Sequence, residues 1–136
     1  MKYLVMILLA AAGILLGGCK YEEGPILSLR SREDRVANTW KVVSATDEDG
    51  KDVSDEFSSW KFTFSLDSTA QLTYNLGSIS ANLNGTWELT ESDDRLTINL
   101  GGLFGTQEYI ILRLTEDEFW VRDLEHELEQ LKMETF

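Results

Sequence analysis

The stretch ISANLNGTWELT, at Ile79–Thr90, carries the longest alternation of apolar and polar residues in the chain. Apolar or small residues occupy every odd position from Ile79 to Leu89, and polar residues occupy the even positions between them. Because successive side chains of a β-strand point to opposite faces, a period of two predicts a strand with one buried and one solvated face. This stretch therefore indicates a long strand that borders a hydrophobic core.

The same alternation recurs on both sides of this stretch, interrupted by turn-forming pairs such as Asp49-Gly50 and Gly77-Ser78. The alternating segments predict eight strands, at about 39–46, 59–66, 70–76, 79–90, 94–100, 106–114, 118–123 and 127–134. Eight short strands without a long helix between them favour an all-β domain, a small antiparallel up-and-down barrel closed so that no edge stays open. A barrel of this size has either a packed interior or room for one small ligand.

Two of the predicted strands depart from the alternation. Tyr109–Leu112 is apolar at four consecutive positions, which predicts that another element, the N-terminal helix, covers its outer face. In the last strand the apolar phase changes between Leu128 and Leu131, and this change predicts a β-bulge there.

A short helix is predicted before the first strand. Ser31 stands three residues before Asp34, a spacing typical of an N-terminal cap, and the helix would end near Asn38. Arg30, Arg32 and Arg35 form the only basic cluster after residue 18. They are interpreted as a solvated helix face, with contact to a barrel end or to lipid headgroups as alternatives.

The first residues have the order of features found in a lipoprotein signal peptide. Lys2 precedes an apolar run, Tyr3–Leu16, which is short for a membrane span. Leu16-Gly17-Gly18-Cys19 follows and resembles a bacterial lipobox, in which the cysteine is acylated and the bond before it is cut. The alternatives are a plain signal peptide and an N-terminal membrane helix. The sequence thus predicts a signal peptide at 1–18, a lipidated Cys19 with a flexible tether at 19–30, and a barrel domain at 31–136.

Cleavage at this site would leave 118 of the 136 residues and change the formal net charge from −12 to −13. Such a domain repels nucleic acid, so its acidity favours solubility or attraction of a basic partner. Cys19 is the only cysteine, which excludes a disulfide within the chain. Lys20 follows it, and Glu22-Glu23 resembles a surface-export signal. We therefore expect an outer-membrane lipoprotein, held by acyl chains on Cys19, that faces either the periplasm or the cell surface.

Motifs in the predicted barrel carry a family resemblance. Asn38-Thr39-Trp40, Gly50-Lys51-Asp52-Val53 with Phe57, and Gly85-Thr86-Trp87 resemble the lipocalin-like domain of many Gram-negative outer-membrane lipoproteins, over about residues 36–134. The first motif departs from the family at Asn38, where glycine is usual. The resemblance implies an eight-stranded lipocalin-like barrel. It also implies that Trp40 closes one barrel end under an arginine from a late strand, and Arg122 is the preferred candidate over Arg113.

No set of residues predicts catalysis, a metal site or a cofactor. His126, the only histidine, lies between two glutamates that would point to the opposite face of a strand. No nucleophile elbow and no set of histidine and cysteine ligands is present. The acidic loops at 47–49 with Asp52, at 93–94 and at 116–118 lack the spacing of a calcium loop and could bind calcium only if they met at one barrel end.

The expected function is therefore that of a non-enzymatic monomer that binds a small apolar or amphipathic ligand at the open end of the barrel. Its pocket candidates are the inward-facing residues Trp60, Phe62, Phe64, Tyr74, Leu83 and Trp87. The same lining suits a packed core, so a hollow and a filled barrel both remain open. The second hypothesis is a protein-interaction or inhibitor module of the cell envelope whose acidic face docks a basic partner.

Overall fold

The computed structural model of the protein describes residues 30–136 except 91, 93 and 103. Cys19, the signal peptide and the tether up to residue 29 therefore lie outside the described residues. The elements are α1 (Arg32–Val36), β1 (Thr39–Thr46), β2 (Lys61–Phe64), β3 (Thr69–Leu76), β4 (Ile79–Thr90), β5 (Arg95–Gly101), β6 (Gly105–Leu114), β7 (Glu118–Asp123) and β8 (Gln130–Thr135). A single 3₁₀ turn, Ser54–Phe57, lies between β1 and β2. In the described part of the chain, no helix is long and apolar enough to cross a bilayer.

Each strand pairs antiparallel with the next, and β8 pairs with β1 to close the barrel. The predicted all-β, eight-stranded, up-and-down barrel with a short N-terminal helix is confirmed. We call one end of the barrel the helix end, where α1 and the turns that follow β2, β4 and β6 lie. The other end, formed by the connections that follow β1, β3, β5 and β7, is the mouth end.

A β-bulge accounts for the apolar run in β6. The register between β6 and β7 shifts between Ile111 and Arg113, so Leu112 is an extra residue in its strand. Ile111 and Leu114 are therefore both buried although they are three positions apart. The predicted cover of Tyr109–Leu112 by the N-terminal helix is not confirmed, since the hydrogen bond between α1 and β6 lies beyond this run, from Arg35 to the Leu114 carbonyl.

The bulge predicted in the last strand lies in its neighbour instead. Leu128 belongs to the connection before β8 and is 56% exposed, so it is not part of the strand alternation. The register shift is in β1, between Val42 and Ser44. Val43 is the extra residue and is 43% exposed, whereas Val42 and Ala45 are buried.

Three arginines hold α1 on the helix end. Ser31 caps the helix by accepting a hydrogen bond from the Asp34 amide at 3.1 Å, as predicted, although α1 ends at Val36. Arg35 is buried and donates to the Leu114 carbonyl at 3.0 Å. Arg32 donates to the Ser92 carbonyl at 2.9 Å, and Arg30 forms an ion pair with Glu116. The cluster thus contacts the barrel end through all three arginines, although the side chain of Arg30 stays half exposed.

Trp40 is completely buried at the helix end, where its indole N–H donates to the Val36 carbonyl at 2.9 Å. Arg122 lies near the far end of β7 and is 3.9 Å from Glu127, so it is not the partner of Trp40. The buried arginine at the helix end is Arg35, which precedes Trp40 in the chain instead of coming from a late strand. The sequence-based choice failed because the residue numbers do not show at which end of its strand an arginine lies.

Gly85 allows β5 to cross closely over β4. A Cβ atom on Gly85 would lie 1.8 Å from the Asn99 carbonyl oxygen and 2.9 Å from the Leu100 Cα. Because Gly85 and Trp87 share a face of β4, this crossing is on the inner side. β4 pairs with β5 only over Thr86–Thr90, and beyond that point β5 leaves β4 and runs towards the mouth end.

Candidate functional site

Four half-buried aromatic side chains close the mouth end of the barrel. Trp60 lies at their centre, with ring centroids 4.7 Å from Phe57, 5.4 Å from Tyr74 and 6.4 Å from Phe104. Tyr74 and Phe104 are also 6.4 Å apart. These distances are typical of tilted and edge-to-face aromatic contacts. We call these four residues the aromatic mouth.

Below the aromatic mouth, the barrel is filled. Phe62 and Phe64 stack with centroids 5.9 Å apart, and Phe64 also contacts Trp87 at 5.6 Å and Phe119 at 6.3 Å. All four of these side chains are at most 5% exposed. Of the two possibilities left open by the sequence, the structure shows the packed core in this part of the barrel.

The six predicted pocket residues consequently divide into two groups. Phe62, Phe64 and Trp87 are core residues, whereas Trp60, Tyr74 and Leu83 are half-buried nearer the mouth end. Phe104 was missed as a site candidate because it lies in a turn and not in an alternating strand. The available signal was a lone aromatic residue between glycines.

An acidic groove of about 420 Å³ runs along the outside of the mouth end. Its lining residues are Thr46, Asp47, Glu48, Asp49, Lys51, Val53, Glu56, Phe57 and Glu129. Five carboxylates thus face one lysine, and Phe57 belongs to both the acidic groove and the aromatic mouth. The groove forms because the end of β1 meets the start of β8, where the Gln130 amide donates to the Thr46 hydroxyl at 3.1 Å.

Negative charge accumulates where this groove meets the connection between β7 and β8. Burial and the nearby carboxylates, above all Asp123, raise the pKa of Glu129, while His126 opposes the increase. Burial also raises the pKa of Tyr109 to about 12, with Glu129 and Asp123 adding to the effect. The pKa values of both Glu129 and Tyr109 are thus raised by the same group of carboxylates, as expected where negative charge is concentrated.

His126 lies within this acidic region, on a turn that Asp123 stabilises. Its Nδ1 is 3.2 Å from Asp123 Oδ1 and its Nε2 is 3.8 Å from Glu48 Oε2. Glu48, His126 and Glu129 each have a potential ligand atom within 4.8 Å of the others. The sequence predicted no metal site, and it did not reveal this grouping because Glu48 is separated from His126 and Glu129 by more than 70 residues in the sequence. Among the described residues, no hydroxyl or thiol nucleophile is hydrogen-bonded to His126.

The acidic loops do not meet at one barrel end. Asp94 and Glu116 lie in turns at the helix end, whereas Asp47 and Glu48 lie at the mouth end. The sequence-based condition for a shared calcium site is therefore not met by the described residues.

Replacing Glu129 with glutamine is expected to stabilise the protein at pH 7 by less than about 1 kcal/mol, since a half-exposed carboxylate is partly screened by solvent. A folded-state pKa above the unfolded value means that ionised Glu129 opposes folding. The gain should disappear as the pH falls through the folded-state pKa, because the wild-type carboxyl is then protonated. Urea unfolding of the variant and the parent at pH 7 and pH 3 measures this difference in the free energy of unfolding. Glu88→Gln removes a charge outside the groove, and an equal gain there would contradict a local cause.

Comparison with known proteins is consistent with this architecture. The family model described as the lipocalin-like domain matches residues 36–120. The crystal structure of a lipocalin-like protein from Bacteroides uniformis superposes with a TM-score of 0.63 at 14% identity, covering 75% of this chain and 99% of that chain. At this identity the structural match shows the fold. No significant match was found among curated proteins.

Proposed function

We propose that this chain, which belongs to the lipocalin-like domain family, is a lipid-anchored outer-membrane protein that binds a small amphipathic ligand at the barrel mouth. Members of this family are generally non-enzymatic binding proteins. The proposed ligand has an apolar body and a cationic head. The observation that carries the proposal is that Phe57 belongs to both the aromatic mouth and the acidic groove.

The aromatic mouth would take the apolar part of the ligand. Phe104 is the ring with the longest contacts, 6.4 Å to both Trp60 and Tyr74. It stands between Gly102 and Gly105, which both have positive φ angles and no nearby atoms where a side chain would be. Displacement of Phe104 would open a shallow site on Trp60 and Tyr74, while the packed core below excludes a deep one.

The acidic groove would take the cationic head. Its five carboxylates attract a cation, and the edge of the groove at Phe57 offers an aromatic ring for a cation–π contact. A cation next to Glu129 would also favour the ionised carboxyl, whose pKa is raised in the free protein. The net charge of −12 opposes binding of anionic amphiphiles.

The lipid anchor is proposed from Leu16-Gly17-Gly18-Cys19, with the barrel facing either the periplasm or the cell surface. The described chain starts at the helix end, next to α1. A tether joined there would leave the mouth end unobstructed, so the anchor and the proposed ligand site are compatible.

A second candidate is docking of a basic envelope protein in the acidic groove. The supporting observation is that the groove is an open surface feature with exposed carboxylates, such as Glu48 at 65% side-chain exposure. Binding of this kind would weaken steeply as salt rises, because exposed charges are screened beyond a distance of about 10 Å at 0.1 M salt.

Three dodecyl-chain amphiphiles test the primary proposal: dodecyltrimethylammonium, dodecyl maltoside and dodecyl sulfate, each below its micelle concentration. Isothermal titration is expected to show the cationic probe binding at least about tenfold tighter than the uncharged one, a difference of about 1.4 kcal/mol. Trp60→Leu should weaken binding of both of these probes. The double substitution Glu48→Gln, Glu129→Gln should weaken binding of the cationic probe alone.

Leu66→Ala is the matched control, because Leu66 is 66% exposed at the helix end, away from the mouth. Equal affinity for the cationic and uncharged probes would show that the acidic groove does not contribute to binding. Loss of binding in Leu66→Ala as large as in Trp60→Leu would show general detergent adsorption instead of a mouth site. Salt-sensitive binding of lysozyme, without saturable binding of any amphiphile, would favour the second candidate.

A further inference from the structure

Half of β4 has a free edge. β4 pairs with β3 over Ile79–Thr86, but its pairing with β5 begins only at Thr86. From Ile79 to Gly85, no described residue pairs with the other side of the strand. The close crossing at Gly85 explains this edge, because β5 leaves the plane of β4 there.

The free edge presents hydrogen-bonding groups of three residues. The Trp87 amide donates towards β3, to the Ser68 carbonyl. Because backbone groups alternate in direction along a strand, Ser80, Asn82 and Asn84 direct their N–H and C=O groups towards the free edge. All three residues are exposed.

This edge lacks the features that protect exposed strands from pairing. Natural proteins place lysine, proline or a bulge on such edges, and Ile79–Gly85 has none of them. The exposed apolar side chains of Leu76 and Ile79, at 62% and 68%, adjoin the edge at the tip of the hairpin. Such an edge is suited to pairing with another strand.

The charge distribution favours a second copy of this chain as that strand. The whole chain has a formal net charge of −12, so two copies repel each other in most relative orientations. Residues 68–87, which form the hairpin of β3 and β4, contain no charged side chain. Two copies can therefore meet along this hairpin without bringing carboxylates of the hairpins together, because the hairpins carry none.

We propose that two copies of the chain dimerise by antiparallel pairing of their β4 edges about a twofold axis at Asn82. In this register Ser80 lies opposite Asn84 of the second copy, and Asn82 lies opposite its own equivalent. The N–H and C=O groups that face the free edge are then all paired across the axis. This inference replaces the monomer expected from the sequence, and it does not depend on the proposed ligand.

Disulfide trapping in the full chain tests the register. Cα atoms of a hydrogen-bonded antiparallel pair are about 5.5 Å apart, which suits a disulfide. Asn82→Cys is therefore expected to form a covalent dimer under mild oxidation in detergent solution. Ser80→Cys is the matched control, since its two cysteines would be about four residues, or 13 Å, apart along the strands. The parent chain, which retains Cys19, measures the background.

Non-reducing electrophoresis is the readout. The double variant Ser80→Cys, Asn84→Cys should also crosslink, and it serves if Asn82→Cys fails to fold. Asn82→Lys should raise the dimer dissociation constant in sedimentation equilibrium at least about tenfold, because it places two like charges at the axis. Added salt should strengthen the wild-type dimer by screening the net charges.

Crosslinking of Ser80→Cys equal to that of Asn82→Cys, or a wild-type chain that stays monomeric at all concentrations, would overturn the proposal. Binding of an uncharged extended peptide to β4 by a chain that stays monomeric would also overturn it, and would assign the edge to another protein.

Discussion

Gly85→Ala is expected to destabilise the barrel by about 3 kcal/mol or more, the upper range for overpacking a core. The added methyl group would lie 1.8 Å from the Asn99 carbonyl oxygen and 2.8 Å from its carbon. Both atoms belong to the backbone of a paired strand, so neither can move without breaking the pairing of β5. Urea unfolding of the variant and the parent measures the loss.

Gly77→Ala is the control for the general effect of replacing a glycine. Gly77 has a φ of +64°, and an added Cβ would meet no atom within 4 Å. Its replacement is expected to cost about 1–2 kcal/mol, from left-handed backbone strain alone. If Gly85→Ala proved no less stable than Gly77→Ala, the crossing of β5 over β4 would not be as close as the structure shows.

The second large effect is expected for Trp40→Ala, with a loss of about 3–5 kcal/mol. Trp40 is fully buried, its ring is 5.4 Å from Phe119, and its indole N–H donates to the Val36 carbonyl. Removal of the side chain leaves a cavity and an unpaired Val36 carbonyl, and it removes one of the contacts that hold α1 on the barrel. Thermal and urea unfolding measure the total loss.

Trp120→Ala is the matched control for this second variant. Trp120 lies on the outside of β7, with the Arg113 guanidinium 5.1 Å and the Lys132 Nζ 4.3 Å from its ring. Because Trp120 and these two partners are only partly buried, its truncation should cost less than about 1.5 kcal/mol. Similar losses for the two tryptophans would indicate that Trp40 is not a central core residue.

The strands could be predicted from the sequence because a period of two is a local property. The alternation within Ile79–Thr90 predicts a strand without any knowledge of the strands that pair with it, and the observed β4 has the same bounds. Bulges could not be placed in this way. Val43 and Leu112 are extra residues only relative to the strands that pair with them, so the sequence shows a change of phase without its cause.

The candidate site was harder to predict, since it depends on contacts between distant parts of the chain. Glu48 and Glu129 meet because β1 pairs with β8, and no local pattern relates them. Trp60 and Tyr74 were correctly chosen as inward-facing, but alternation alone could not separate a residue near the mouth from a core residue such as Phe64. To predict how far a residue lies from the mouth end, one has to know the register of all eight strands.

The pairing of β1 with β8 also determines when the barrel can form. All other strand pairs join consecutive strands, whereas this one joins Trp40 to Thr135 and Thr46 to Gln130. Closing a loop of about 90 residues costs about 2 kcal/mol more in chain entropy than closing one of ten. The barrel therefore cannot close before β8 is present. Until then β1 pairs only with β2 and β7 only with β6, and the other edge of each of these strands has no partner.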